Sequence, residues 1–303
     1  MIQKKYFIYQ KKTNSNLFID DGLISFNLNK RTQNEINKCV VDLFNYNENK
    51  TFKNIKSVQS FLNKTQYYSL KRNLNIMTRL ESIILKKFKD LKIINKNLNG
   101  IQFPMDIRIV HPQKPKLLKN KYLTSSIHCD TWTEEPFDII NVVIYLCVNK
   151  NTPKISILKS SEKDLIKYSK YTNFYKNKFF LYSKKYFSIL QDLKEKNSYK
   201  LNHTNGQVMI FNSYLPHQTI REGNQVRLSL EFRLKMNNPY HNSETWKKTN
   251  NHGRYWLLPQ VYNEDFFQRI KSEKQQIKRI KNSDRLIKLR NKEFTNNLIF
   301  KTF

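Results

Sequence analysis

The 303-residue chain has few cysteines, and they form no recognisable framework. They stand at positions 39, 129 and 147, with neither the paired spacing of a zinc site nor the even number of a disulfide scaffold. Disulfide frameworks belong to oxidising compartments, so an odd count without a pattern indicates a reducing one. The cysteine content therefore argues against a disulfide-stabilised secreted domain.

Long hydrophobic runs are missing as well. A membrane-spanning helix needs about 20 consecutive apolar residues, and no stretch of the sequence approaches that length. Residues 1–6 contain no apolar run long enough for a signal peptide. We therefore expect a soluble, cytoplasmic protein.

Acidic residues are scarce relative to basic ones. The chain has 24 Asp and Glu against 55 Lys and Arg, which gives a formal net charge of +31. Such an excess is typical of proteins that bind nucleic acid or another anionic surface. A lysine-rich composition whose extra lysines cover solvated faces produces the same excess. Because the basic residues spread over the whole chain and do not gather in one block, the second interpretation is favoured.

Residues 1–99 predict a short extended segment followed by helices. Apolar residues recur at helical spacing from Thr32, with Thr32 or Asn34 as the candidate N-cap. The same spacing recurs over about 55–62 and about 67–91. We expect these three helices to form a layer packed on a sheet.

Residues 100–236 predict that sheet, so the fold class is mainly β with flanking α, in a single domain. The expected strands are a segment after Pro104, the segment that ends at Asp130, and the stretches 137–146, 155–158, 207–211 and 226–234. The strand over 137–146 is almost continuously apolar, with the lone polar residue Asn141, and is expected to be buried.

Two further segments have distinctive compositions. Residues 161–200 are polar, aromatic and basic, which indicates an insertion or lid over a site or, alternatively, a surface for single-stranded nucleic acid. Residues 264–292, inside the C-terminal extension 237–303, predict a basic amphipathic helix that packs on the body. The alternative is a helix that contacts a partner, a membrane surface or nucleic acid.

The chain is organised around His128 and Asp130. Residues two apart on a strand point to the same side, so both side chains can aim at one point while Cys129 points away. An imidazole and a carboxylate are two of the three ligands in the facial triad that holds non-haem Fe(II). A His-x-Asp alone is a weak signal, and the chemistry also requires a third ligand.

His217 supplies that third ligand from a facing strand, 89 residues after His128. Arg227 follows ten residues later, and an antiparallel return of the chain is expected to place it beside His217. A buried guanidinium needs an anionic partner, and its fork binds a carboxylate through two bonds. Ser229 lies on the same face and adds a hydroxyl. Arg227 can instead pair with Glu231 or Asp106.

Together these positions resemble the Fe(II)/2-oxoglutarate-dependent oxygenases of the phytanoyl-CoA hydroxylase-like kind. The match consists of Ser126-x-His128-x-Asp130, the distal His217, and Arg227-x-Ser229. The wider strings HCDTW at 128–132 and RLSLEFR at 227–233 are similar to a bacterial branch associated with streptomycin-type and other carbohydrate biosynthesis clusters. The resemblance covers about residues 100–236 and implies a double-stranded β-helix core of the jelly-roll or cupin-like type.

The resemblance also implies roles. Fe(II) would be bound by His128, Asp130 and His217. The distal carboxylate of 2-oxoglutarate would lie on Arg227 and Ser229, and Asn141 would reach the same cosubstrate. With O2 as the second cosubstrate, 2-oxoglutarate would be decarboxylated to succinate while a C–H bond of a small polar metabolite, a sugar or sugar-derived compound, is hydroxylated. Desaturation, cyclisation and epimerisation stay open as outcomes.

One departure and two alternatives accompany this interpretation. The family often has Pro-Gly-Ser-His after the central strand, whereas this chain has Lys-Ser-Ser-Glu at 159–162. The net charge and the six-residue offset between Arg227 and Arg233 favour a nucleic-acid oxygenase of the alkylation-repair type, while the short interval from His217 to Arg227 argues against it. A metal-binding cupin-like barrel without turnover is the non-enzymatic alternative.

Overall fold

The structure is a computed structural model that describes residues 18–20, 23–65, 68–91, 98–103, 105–112, 127–130, 139–159, 191–213, 215–236, 255–257 and 300–302. In chain order its elements are strands β1 (Phe18–Asp20) and β2 (Leu23–Asn27), helices α1 (Lys30–Glu48), α2 (Ile55–Leu62) and α3 (Leu74–Asp90), and strands β3 (Leu98–Phe103), β4 (Asp106–Val110), β5 (Ile139–Cys147), β6 (Lys154–Ile157), β7 (Gln207–Asn212), β8 (His217–Ile220), β9 (Arg227–Met236), β10 (Tyr255–Leu257) and β11 (Phe300–Thr302).

An asparagine N-cap stands directly before each of helices α1, α2 and α3. The Asn29 side chain accepts a hydrogen bond from Thr32 N–H at 2.8 Å, and Asn54 and Asn73 cap the next two helices in the same way. Such a side chain satisfies an amide that has no partner inside the helix. The expected N-cap at Thr32 or Asn34 is wrong, because α1 begins two residues before Thr32.

The third helix starts later than expected, at Leu74 instead of about residue 67. The reason lies in α1, where the Asn47 side chain hydrogen-bonds both backbone groups of Lys71: Nδ2 donates to the carbonyl at 2.8 Å, and Oδ1 accepts from the amide at 2.8 Å. These bonds replace the helical ones that Lys71 would make. A side-chain amide can compete with a helix for backbone groups in this manner.

The strands form a nine-stranded antiparallel sheet and a separate two-stranded sheet. The larger sheet has the order β1-β2-β7-β5-β9-β3-β10-β11, and β4 also pairs with β9. Strand β5 is buried along all of its nine residues, as its continuous apolar sequence predicts. The smaller sheet consists of β6 and β8.

The two faces of the large sheet have different surroundings. One face packs on the helices in a core that includes Val142, Ile144, Leu228 and Leu230. The opposite face carries the alternate residues of β5 and β9, and its apolar part packs against the small sheet. The residues of this second cluster are Leu23, Val143, Tyr145, Val148, Ile155, Ile157, Tyr199, Met209, Phe211 and Leu215. The helices thus pack on one face of the sheet, and the space between the two sheets contains the candidate site.

The expected antiparallel return from His217 to Arg227 is wrong. His217 begins its own strand, β8, which pairs with β6, whereas Arg227 begins β9 in the large sheet between β5 and β4. The chain crosses from one sheet to the other through residues 221–226, so the two side chains belong to facing sheets.

Several predicted features lie outside the described residues: most of the insertion at 161–200, the amphipathic helix at 264–292, and Trp132. The described end of the insertion, 191–200, lies beside the small sheet, where Ser198 Oγ and Ser156 Oγ are 2.8 Å apart. Among the helices of the described residues, none has the length and apolar character needed to cross a membrane.

Candidate metal centre and carboxylate anchor

Backbone pairing brings two distant segments of the chain together at the candidate site. His128 and His217 form an isolated antiparallel bridge, in which each amide donates to the carbonyl of the other residue at 2.9 and 2.8 Å. The Asp130 amide donates to the Ser213 carbonyl at 2.8 Å. Residues 127–130 are thus held by the turn before β8, although only His128 of this segment has strand pairing.

The side chains of His128, Asp130 and His217 converge. One ligand atom from each lies within 4.8 Å of the others. Asp130 Oδ1 is 3.6 Å from His128 Nε2 and 3.5 Å from His217 Nε2. All three residues are buried, with 7%, 7% and 9% of their surface exposed. Two imidazole nitrogens and a carboxylate oxygen in this arrangement can bind a divalent transition metal such as iron.

The surroundings of Asp130 keep it ionised. Burial by itself would raise the pKa of Asp130, but the charge of His217 and hydrogen bonds from both histidines outweigh it, and the pKa lies well below its usual range. Asn141 Nδ2 donates to Asp130 Oδ2 at 2.7 Å, and Arg233 Nη2 is 3.5 Å from the same oxygen. Such contacts fix the orientation of a ligating carboxylate.

His217 is oriented by its other ring nitrogen. Its Nδ1 lies 2.9 Å from the Leu215 carbonyl, which can only accept, so Nδ1 carries a proton and Nε2 is the nitrogen that faces Asp130. In the neutral ring this arrangement leaves the free electron pair on Nε2. The Phe211 ring packs edge-on against the imidazole at 5.1 Å between centroids. This tautomer is the one that a metal ligand needs.

A cavity of about 80 Å³ opens beside the three side chains. Its polar lining comes from β4, β5, β8 and β9, and its apolar lining includes Ile155 and Phe211. The lining residues that the structure describes are Arg108, His128, Asp130, Asn141, Val142, Val143, Ile155, Phe211, His217, Thr219, Glu231 and Arg233.

Arg227 and Ser229 are fully buried, at 0% exposure, and are not among the described residues that line this cavity. Both contact one oxygen of Glu231. Arg227 Nη2 donates to Glu231 Oε1 at 3.2 Å, and Ser229 Oγ donates to the same oxygen at 2.8 Å. Of the two partners considered for Arg227 from sequence, the structure has Glu231.

The other oxygen of Glu231 belongs to a second ion pair. Arg108 Nη1 donates to Glu231 Oε2 at 2.7 Å, because Arg108 on β4 and Glu231 on β9 share a face of the sheet. Burial would raise the pKa of Glu231, but the charges of Arg108 and Arg227 lower it to about 2. Glu231 is therefore a carboxylate that bridges two guanidinium groups.

The bridge leaves part of Arg227 unsatisfied. Its Nε and Nη1 are buried without a hydrogen-bond partner among the described residues. Burial lowers the pKa of Arg227, although nearby Tyr145 and Glu231 act in the opposite direction. A fully buried guanidinium with two unused donors has the capacity to bind a further oxygen acceptor.

Glu231, Arg108 and Arg233 also belong to the site, although the sequence did not assign them to it. The strict alternation of β9 places Glu231 and Arg233 on the same face as Arg227, which was a usable signal. Arg108 offered no such signal, because the sequence does not reveal that β4 lies next to β9, and its side chain proves to line the cavity.

No protein-family model matches the chain, and no curated protein matches it. Among solved structures, the chain has distant similarity to the non-heme alpha-ketoglutarate-dependent carbocyclase SnoK from nogalamycin biosynthesis, with a TM-score of 0.35 and 15% identity over 52% of this chain and 59% of that chain. It is also distantly similar to an N-substituted L-amino acid dioxygenase from Burkholderia ambifaria in complex with alpha-KG, with a TM-score of 0.35 and 10% identity over 71% of this chain and 82% of that chain. For a second structure of that dioxygenase the TM-score is 0.37 and the identity 11%, over 70% of this chain and 82% of that chain. The chain thus spans less than two thirds of the SnoK chain. Similarities this low assign neither fold nor function.

Proposed function

We propose that the protein is an Fe(II)/2-oxoglutarate-dependent oxygenase. The observation that carries the proposal is the convergence of His128, Asp130 and His217, buried at the wall of one cavity and delivered by separate segments of the chain. Two histidines and one carboxylate on one side of a metal leave its other positions open, which is the arrangement of non-haem Fe(II) oxygenases.

The residues present fit such a metal. In its neutral form His217 presents a lone pair on Nε2, because its Nδ1 donates to a carbonyl. Asp130 is ionised, and Asn141 holds it through Oδ2 and leaves Oδ1 on the side of the two imidazoles. We assign all three side chains as metal ligands and Asn141 as the residue that orients Asp130.

The residues also fit the cosubstrate. Arg227 has two buried donors without a partner among the described residues, and Ser229 lies two residues along the same face of β9. A guanidinium fork with an adjacent hydroxyl suits the distal carboxylate of a dicarboxylic acid. Asn141 lines the cavity beside the metal ligands, which supports its assignment to the same cosubstrate site.

When bound, Fe(II) would allow O2 to oxidise 2-oxoglutarate and would provide the oxidant for the second substrate. The protein's own residues would bind and orient the metal and the cosubstrate. His128, Asp130 and His217 would hold the metal, Arg227 would bind one end of the cosubstrate, and the apolar lining of Ile155 and Phe211 would keep water from that wall of the cavity.

The finer assignments rest on the sequence resemblance. We infer a double-stranded β-helix core over about 100–236, flanked by the helical layer 1–99 and the extension 237–303, in the phytanoyl-CoA hydroxylase-like group. The streptomycin-type branch supports a small polar substrate of the carbohydrate class, with C–H hydroxylation as the reaction. The polar cavity lining from Arg108, Thr219 and Arg233 is compatible with such a substrate.

An anaerobic titration tests the proposal. Fe(II) and then 2-oxoglutarate are added, and the weak visible charge-transfer band of the chelate is followed. We expect a saturable band in the native protein, no Fe(II) binding in Asp130→Ala, and an affinity for 2-oxoglutarate at least about tenfold weaker in Arg227→Gln, because a buried charged partner is lost.

Arg79→Gln provides the matched control, since Arg79 pairs with Asp42 in the helical layer and its loss should leave the band unchanged. Fe(II) binding without any band, in the native protein and in both arginine variants, would contradict the cosubstrate assignment and favour the non-catalytic barrel.

A further inference from the structure

The anchor, Arg227 and Ser229, already holds a carboxylate, and that carboxylate belongs to the protein. Glu231 Oε1 accepts from Arg227 Nη2 at 3.2 Å and from Ser229 Oγ at 2.8 Å. They belong to the two residues assigned above to the distal carboxylate of 2-oxoglutarate. Glu231 also lines the cavity, whereas both anchor residues have no exposed surface. A ligand that enters from the cavity therefore meets Glu231 before it meets the anchor.

The charge of Arg227 restricts what can displace Glu231. A fully buried guanidinium that loses its anionic partner is left with an uncompensated charge, which is strongly destabilising. A neutral ligand, or one whose negative group stays at the metal, offers no replacement for the Glu231 oxygen. Only a ligand with a second anionic group can take over Arg227 and leave its charge paired.

The carboxylate of Glu231 also keeps a charged partner during the exchange. Its Oε2 already accepts from Arg108 Nη1 at 2.7 Å, and the Arg108 side chain is 37% exposed. If Glu231 turns away from the anchor and stays on Arg108, the carboxylate keeps a cationic partner at the cavity wall. After the exchange, Arg227 is paired with the ligand and Arg108 with Glu231, so every buried charge retains a partner.

We propose that Glu231 is an internal competitor of the cosubstrate: it occupies the Arg227–Ser229 anchor in the free protein and is exchanged for the distal carboxylate of a dicarboxylic 2-oxo acid. This inference rests on the proposed function, since it concerns the same cosubstrate site. It explains how a fully buried arginine stays charged before the ligand arrives, and it requires an incoming 2-oxo acid to bring a second carboxylate before the anchor can be engaged.

The test compares two ligands that share the metal-binding 2-oxo acid group. 2-Oxoglutarate has the distal carboxylate and 2-oxobutyrate does not. Calorimetric titration of protein loaded with Ni(II), which supports no turnover, measures the affinity for each. An internal competitor reduces the apparent affinity by the fraction of protein in which the anchor is free. We expect E231Q to bind 2-oxoglutarate about tenfold more tightly than the native protein, with the affinity for 2-oxobutyrate unchanged.

Two more variants complete the design. R108Q removes the residue that holds Glu231 after the exchange, so we expect about tenfold weaker binding of 2-oxoglutarate, again with 2-oxobutyrate unchanged. This variant decides the question if E231Q does not fold. E81Q is the matched control, because Glu81 is a buried carboxylate in the helical layer, and its affinities should equal those of the native protein.

The outcomes separate this inference from the proposed function. If native protein binds 2-oxoglutarate in preference to 2-oxobutyrate, but E231Q binds it no more tightly, or R108Q no more weakly, then Glu231 is a fixed part of the anchor and the exchange is wrong. If the native protein loaded with Ni(II) binds neither acid, or binds both equally, the cosubstrate assignment itself is wrong.

Discussion

At the scale of single residues, the position of Asp130 depends on side chains that would not touch the metal. Its Oδ1 faces the two imidazoles, while its Oδ2 accepts from Asn141 at 2.7 Å. Asn141 lies at 3% exposure near the start of β5. The hydrogen bond thus connects the carboxylate to a strand that is buried along its whole length. It also gives the two Asp130 oxygens different roles.

Replacing Asn141 by Leu should weaken metal binding without removing any ligand. Outer contacts of this kind are worth about 10–100-fold in metal affinity, so we expect a loss in that range in a competition titration of Co(II) against a chromophoric chelator. Ser25→Ala is the matched control, because Ser25 makes a buried hydrogen bond with Gln207 on the same face of the sheet. Equal affinities in the two variants would show that Asn141 acts only on stability.

The sequence indicated which residues carry the candidate site but not all of their partners. His128, Asp130 and His217 could be singled out because imidazole and carboxylate groups with this spacing are rarely needed for packing. The pairing of Arg227 with Glu231 could only be offered as one of two options, since the choice between Glu231 and Asp106 depends on how far β4 reaches along β9.

At the scale of elements, the turn between β8 and β9 transfers the chain from the small sheet to the large one. Gly223 has φ +84° there, and the amides of Asn224 and Gln225 both donate to the Asn151 carbonyl, at 3.0 and 2.9 Å. A Cβ on Gly223 would overlap the backbone of Asn151. This turn sets the placement of His217 relative to Arg227, so its geometry affects the site.

Gly223→Ala should destabilise the protein more than Gly206→Ala. Gly206 has nearly the same dihedral, φ +82°, but a Cβ there would meet only the flexible end of the Gln33 side chain. We expect the free energy of unfolding to fall by about 1–2 kcal/mol in Gly206→Ala, from the left-handed backbone, and by about 1–3 kcal/mol more in Gly223→Ala, from the steric overlap. Urea unfolding measures both, and equal losses would contradict the role of Asn151.

The type of most elements could be predicted from the sequence, but which strands lie next to one another could not. The continuous apolar run of β5 and the alternating pattern of β9 both predict a strand. The crossing from β8 to β9 was mistaken for a hairpin because a short, glycine-containing connection fits either case. The start of α3 was missed because it depends on Asn47, which is 24 residues away from the Lys71 backbone that it binds.

At the scale of the whole molecule, the dominant feature is the formal net charge of +31. In the helical layer the lysines lie on solvated faces: Lys30, Lys38, Lys50, Lys53, Lys56, Lys64, Lys71, Lys86 and Lys89 are exposed. This placement agrees with lysines that cover a surface. It also means that like charges repel one another across the folded protein and favour the expanded, unfolded chain.

Salt should therefore stabilise the fold. Raising the NaCl concentration from about 10 mM to about 150 mM shortens the screening length from about 30 Å to about 8 Å, which removes most of the repulsion between distant exposed charges. We expect the midpoint of urea unfolding to rise over this range; urea is used because guanidinium is itself a salt. The triple variant Lys38→Gln, Lys53→Gln, Lys64→Gln should show a higher midpoint at low salt and a smaller response. A midpoint that falls with salt would mean that attractive ion pairs such as Arg72–Asp106 and Arg108–Glu231 outweigh the repulsion, and the net charge would then not limit the stability of this molecule.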